Sequence, residues 1–265
     1  MPQNSLRHWD SARAAELYDE FNRRHDRYSA ASAYLVEQSP LANAAHVLDF
    51  GAGTGVTAQA ALVTLRSDAR LVCFEPAEAM RAVGRANVQD SRVQWVSELS
   101  DTEQFDCVLC SATIWQIEPL EDALDQLVSR VAPGGAMSFN IPAAYLGEAD
   151  EPGEGTDPYL VELISELVDP NRRSAQAAMD LPQPEEVDCL LQSRFASVRR
   201  WSQPTRLQQA TFRDWMKLPI INEPFFEGVP IEERARRVDA AFERCDAQSW
   251  RWETWLGWTA THPKR

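Results

Sequence analysis

Residues 47 to 55 read Val-Leu-Asp-Phe-Gly-Ala-Gly-Thr-Gly, the end of an apolar strand running into a glycine turn. Glycine at positions 51, 53 and 55 lets the main chain approach a nucleotide-like ligand, because a Cβ there would collide with it or forbid the turn. Glu75 closes the next apolar stretch, 26 positions after Asp49, where a carboxylate can take both hydroxyls of a ribose. A dinucleotide fingerprint needs G-x-G-x-x-G, and Val56 stands where its third glycine belongs. Asp49 would repel a pyrophosphate. It suits a cationic ligand with a free ribose diol and no phosphate.

An acid, one residue, then G-x-G-x-G resembles the first motif of the class I S-adenosylmethionine-dependent methyltransferases. The resemblance implies S-adenosylmethionine as cofactor, with Gly51, Ala52 and Gly53 beneath its methionine and ribose portions. It places Asp49 near the ammonium, Glu75 on the ribose hydroxyls and Pro76 near the adenine. Ser97 or Glu98 would meet the adenine amino group, although Ser97-Glu98-Leu99 stands where the family has a Gly-Asp pair. Cys110, at the exit of the fourth strand, is counted with these cofactor residues. Tyr28 either reaches the methionine carboxylate or is a core tyrosine with its hydroxyl at the surface. The segment Arg130-Val-Ala-Pro-Gly-Gly before an apolar run also resembles the family's entry to its fifth strand. The likeness runs motif by motif from about residue 28 to residue 141, and by topology alone thereafter.

A sulfonium already carries an activated methyl group, so such a protein supplies geometry more than functional groups. The stretch Cys110-Ser-Ala-Thr-Ile-Trp115-Gln116 carries the family's fourth motif, and the histidine common near that point is absent. Of the four histidines, His46 and His262 lie at the wrong places for the chemistry. His8 and His25, in the amino-terminal region, are left as candidate catalytic residues beside Trp115; each is otherwise a surface histidine. Trp115, Tyr145, Trp215 and Phe225 are candidate substrate-binding residues and suggest a flat or greasy acceptor. Four of nine tryptophans fall between Trp250 and Trp258, a spacing that packs a strand against helices more readily than it builds an aromatic box.

The elements that hold these residues follow from periodicity. Two amphipathic helices, over residues 10–22 and 28–38, precede strands at 46–50, 71–75, 93–96, 105–110 and 136–141. Helices intervene at 54–65, 77–83 and along the stripe Leu120 to Val131, an alternation that implies a parallel sheet. The expected fold is α/β, a doubly wound, mostly parallel sheet of seven strands, with strand six at 195–201 and the seventh antiparallel as the resemblance implies. Residues 1–265 are expected to form one domain, methyltransferase-like as the resemblance implies. Segments 1–40, 143–182 and 208–248 are expected to form a helical cap, with an amphipathic helix at 159–168 and an acid-rich loop near residue 150 acting as a lid.

Composition narrows the partners. A formal charge of −14 argues against nucleic-acid backbones, which require clustered Lys and Arg. No apolar run approaches the ~18 residues of a membrane span, and the amino terminus lacks a leader pattern; a cytoplasmic location is expected. The five cysteines read as reduced thiols. Cys107 and Cys110, three apart in a strand, point to opposite faces and cannot grip one ion, so no metal is expected. The expected partner is a small-molecule substrate, with the oligomeric state open. Two other functions fit the same motifs: a non-catalytic S-adenosylmethionine-binding protein, and a cyclase or isomerase that uses the bound sulfonium.

Overall fold

The computed structural model describes residues 9–117, 119–148, 151, 153–155, 160, 182–223, 226 and 228–264. Seven strands form one sheet in the order β3-β2-β1-β4-β5-β7-β6. They are β1 (His46–Phe50), β2 (Arg70–Phe74), β3 (Val93–Val96), β4 (Phe105–Ser111), β5 (Val131–Pro142), β6 (Phe195–Gln208) and β7 (Trp250–Pro263). The first five are parallel; β7 runs antiparallel between β5 and β6. The order reverses between β1 and β4, so the carboxyl ends of these two strands open a crevice where α/β sheets bind ligands.

Strand alternation sorts side chains onto two faces. Leu48, Val108, Cys110 and Phe139 join the cluster covered by α5 (Leu120–Ser129) and α6 (Pro184–Arg194). Val47, Leu71, Cys73, Cys107 and Leu109 lie in the cluster on the face of α3 (Val56–Thr64) and the end of α2 (Arg27–Gln38). Cys107 and Cys110 therefore sit on opposite faces. Helix α1 (Ala12–Arg24) is capped by Ser11, whose hydroxyl accepts from the Ala14 amide at 3.4 Å, and it packs against α4 (Glu78–Asn87). Acids Glu121 and Asp122 open α5, where the helix dipole favours them.

Two stretches differ from the periodic reading. Val131 belongs to β5 and not to the preceding helix: it pairs with Phe105, and pairing resumes at Cys107 with Ala136, so Ala132 to Gly135 bulge out of the ladder. Strand β6 is also longer than the expected 195–201, running on to Gln208. β5 pairs with β7 no further than Pro142 opposite Trp255, but β6 and β7 continue together to Gln208 opposite Trp250. This two-stranded arm rises past the carboxyl edge of the sheet. On its open side the Trp252 and Trp250 amides donate to the Glu151 and Glu154 carbonyls at 3.1 and 3.2 Å.

Between β6 and β7 lie α7 (Gln209–Met216), α8 (Pro219–Asn222) and α9 (Ile231–Phe242). They share a small core of Met216, Phe226, Val238 and Ala241 with Leu160 from the preceding insertion. This unit meets the amino-terminal helices through Trp215, which bonds Tyr28, and Asp214, which bonds His25. Of the helix expected at 159–168, only Leu160 lies among the described residues. Among them, no helix is long and apolar enough to cross a membrane.

Candidate active site

The crevice is a cleft whose floor is the glycine turn and whose walls come from α1, α2, the β4 exit and the segment after β5. Gly51 has φ +74°, and a Cβ built on it would lie 2.3 Å from the Thr113 side chain. Conformation and space therefore both require glycine there. Gly51, Ala52 and Gly53 all face the cleft. Glu75 lines it beside them, nearly buried, with Oε2 accepting from the Gly53 amide and Oε1 from the Ala77 amide, each at 2.9 Å. Those two bonds fix the carboxylate and leave further lone pairs toward the cleft. Burial raises its pKa above the ordinary range.

Asp49 lies beneath the turn, at 1% exposure, and does not line the cleft. Neither carboxylate oxygen has a hydrogen-bond partner. Burial first, and the neighbouring Glu75 carboxylate second, push its pKa up to about 7; the Ala58 amide offsets this in part without hydrogen-bond geometry. A buried carboxylate with nothing to bond is costly to ionise. A cation held in the cleft above the turn would favour its ionised form through space.

A hydroxyl network stiffens the floor. Ser32 Oγ lies 3.0 Å from Thr57 Oγ1 and 3.1 Å from Ser111 Oγ, tying α2 to α3 and to the end of β4. Asn140 Oδ1 accepts from the Ala112 amide at 2.9 Å, while its Nδ2 donates to the Ala31 carbonyl at 3.2 Å. Ala112 is held at φ +52°, a left-handed conformation rare for a residue with a Cβ. Pro76 and Met80 line the side near Glu75. No sequence signal marks Ser32, Thr57, Ser111 or Met80; serine and threonine at these places carry no pattern distinct from ordinary turn chemistry.

At the far end stand Tyr28, Trp115, Gln116, Tyr145 and Ile221. Trp115 meets Tyr145 edge to face at 5.2 Å between ring centroids. Trp215 sits one layer behind, donating from Nε1 to the Tyr28 hydroxyl at 2.9 Å; it does not line the cleft. Trp255 is fully buried against Tyr28 and Trp115, in the packing role expected of the β7 tryptophans.

Three expected contacts are corrected. Ser97 and Glu98 are exposed and outside the cleft lining, because it is Leu99 that turns inward onto the core. Cys110 is sealed in the core on the α5 face, its thiol pushed up by burial and by Asp49; the next residue, Ser111, is the one that reaches the cleft. His25 also lies outside it, with Nε2 2.9 Å from Asp214 and Nδ1 3.2 Å from Thr211, so both ring nitrogens are engaged away from the cleft. His8 and Phe225 fall outside the described residues.

Comparison with known proteins agrees with this fold. A methyltransferase-domain family profile matches residues 21–198. A trans-aconitate 2-methyltransferase of Variovorax paradoxus strain S110 is 26% identical over 129 residues, which cover 46% of this chain and 48% of that protein. The matched stretch thus spans about half of that relative's length. Among solved structures, a protein of Bacillus halodurans C-125 described as a methyltransferase superposes with a TM-score of 0.53 at 14% identity, covering 89% of this chain and 100% of the other. The [4+2]-cyclase SpnF superposes with a TM-score of 0.50 at 16% identity, covering 89% and 82%. At such identities the two structures share the fold alone.

Proposed function

Because the chain belongs to the methyltransferase-domain family, we propose that it transfers a methyl group from S-adenosylmethionine to a small-molecule acceptor bound against Trp115 and Tyr145. The observation that carries this reading is the orphaned Asp49 carboxylate beneath a glycine turn that excludes a Cβ. It fits a ligand bearing a cationic ammonium, and the Glu75 carboxylate beside it fits a ribose diol. When bound, the cofactor supplies an electrophilic methyl on its sulfonium.

The residues of the chain then have three tasks. Gly51 to Gly53 present bare backbone, Asp49 compensates positive charge, and Glu75 holds the ribose by charge-assisted hydrogen bonds. Ser32, Thr57 and Ser111 keep the floor rigid, which is how alignment becomes rate. Trp115 and Tyr145 exclude water and fix the plane of the acceptor.

Apart from Glu75, whose two oxygens already accept from main-chain amides, no described lining residue is a ready base. Among the described residues of the cleft wall the ionisable groups are Glu75 and three tyrosines, and burial pushes the Tyr18 and Tyr145 hydroxyls upward, so these donate protons rather than accept them at neutral pH. The acceptor atom is then an oxygen or nitrogen, or an activated carbon, that is nucleophilic or acidic enough to react without deprotonation by the chain. Alignment can supply more rate than the 10²- to 10⁴-fold typical of a positioned base.

Methyl-labelled S-adenosylmethionine, offered with a panel of aromatic and unsaturated small molecules, tests the proposal. Label should pass to an acceptor, and Glu75→Ala should weaken binding of the demethylated product by about 1.5–3 kcal/mol. Binding without label transfer, accompanied by rearrangement of an acceptor, would favour a cyclase of the kind that shares the fold. Absence of any binding in calorimetry and thermal-shift measurements would end the cofactor assignment.

A further inference from the structure

Among the described residues, the far end of the cleft is rich in unspent donors and shows no unspent carboxylate or amide oxygen to match them. The Tyr145 hydroxyl makes no hydrogen bond to any described residue. The Tyr28 hydroxyl accepts from Trp215 Nε1, which orients it and leaves its proton free. Gln116 spends its Oε1 on Trp9 Nε1 at 2.7 Å, so its NH₂ is the part left for the cleft. Behind these rings lies Arg27, whose side chain is 6% exposed. Its guanidinium carbon sits 4.9 Å from the Tyr28 ring centroid and 4.6 Å from that of Trp215. Its Nη1 is buried without a partner. Glu253 is the carboxylate of this region, and both its oxygens are taken, by Arg27 Nε and Nη2 and by Trp255 Nε1.

We propose that this end of the cleft is a receptor for a carboxylate on the acceptor molecule, held by the Tyr145 and Tyr28 hydroxyls and the Gln116 amide, with Arg27 as the positioning residue behind them. The inference rests on the methyl-transfer reading and names the acceptor class. Arg27 Nη1 is a buried donor without a partner, and a carboxylate, with roughly four lone-pair sites and no proton to give, matches a wall of donors better than a hydroxyl or an amide does. A second carboxylate could come to this place only from the amino-acid part of the cofactor. The topology sets Tyr145 apart from it: Tyr145 follows β5, whereas the glycine turn follows β1. One strand, β4, lies between β1 and β5, so Tyr145 follows a strand two spacings, about 10 Å, from the turn.

The test uses protein saturated with S-adenosylhomocysteine and titrated with benzoate, phenylacetate, cinnamate and trans-aconitate, each beside its amide. At least one acid should bind about tenfold more tightly than its amide. Tyr145→Phe, which keeps the ring, should remove most of that preference while leaving S-adenosylhomocysteine affinity within about twofold, the pattern for loss of one charge-assisted bond. Amides that bind as well as acids, or a panel with no measurable binding, would overturn the receptor and leave the methyl-transfer reading standing. If Tyr145→Phe weakens S-adenosylhomocysteine but not 5′-methylthioadenosine, which lacks the amino-acid part, the donors serve the cofactor's own carboxylate and the proposal is wrong. Failure of wild type to bind S-adenosylhomocysteine would remove the function reading and this receptor with it.

Discussion

Asp49 is the residue whose environment departs furthest from what its chemistry prefers. With its pKa raised from 3.8 to about 7 by burial and by Glu75, the folded chain holds a proton that the unfolded chain has released between those two values. Stability contributed by this group is therefore present below about pH 4, falls as pH rises toward 7, and is flat above. At about 1.4 kcal/mol for each pH unit between the two values, the loss is at most about 4 kcal/mol, and Asp49→Asn should be more stable than wild type at pH 8 with a weaker dependence on pH. Ligand binding reverses the sign. A bound ammonium favours the carboxylate, so binding of S-adenosylhomocysteine near pH 6.5 should release a proton, and the asparagine variant should bind more weakly with no such release. Calorimetry in buffers of differing ionisation enthalpy measures it. Equal heats in all buffers would show that Asp49 is already ionised or plays no part.

At the scale of elements, parity explains what the sequence displays and what it hides. The strand-to-glycine turn and Glu75 at the end of the second strand are legible, because glycine spacing and apolar runs are local signals, whereas the antiparallel last strand comes from the family resemblance alone. Cys110 reads as a cleft residue although it shares a face with Val108 in the core; one residue further along β4 the alternation delivers Ser111. Ser97 and Glu98 mislead for a related reason, since a polar pair after an outer strand is also what solvent selects. The β6–β7 arm is hidden because Gln203 to Gln208 are mostly polar, and their pairing is long-range. That arm alters the expected lid. Glu151 and Glu154 are hydrogen-bonded to β7, and a Cβ on Gly153 would stand 1.9 Å from the Trp250 carbonyl oxygen. Brief proteolysis should consequently spare Glu151 to Gly155 in the free protein. Gly153→Ala should lower stability by about 1–3 kcal/mol and open that stretch to cleavage; an unchanged melting temperature would mean that the docked geometry does not persist in solution.

Over the whole molecule, the tie that matters most joins the two ends of the chain. Arg27 on α2 and Glu253 on β7 are 226 positions apart, each with a side chain 6% exposed, and they meet through Nε at 3.1 and 3.0 Å and through Nη2 at 2.5 Å. The pair fixes the amino-terminal helices against the last strand, and with them Tyr28 against the cleft. Burying two charges gains little over apolar packing, but removing one partner strands the other. Glu253→Gln should then cost about 3–5 kcal/mol, leaving the guanidinium among Tyr28, Trp215 and Trp255 with no negative counterpart. Arg27→Met combined with Glu253→Leu should recover most of that loss, because neither charge is left buried. If the pair only braces the fold, the double variant will bind acceptor carboxylates as wild type does. If Arg27 also positions the donors of the cleft, it will fold, retain S-adenosylhomocysteine binding and lose its preference for acids over amides, and that second outcome is the one expected. Chemical denaturation paired with the same titrations decides between them, and a double variant as unstable as Glu253→Gln would show that the cost lies in lost packing rather than in the stranded charge.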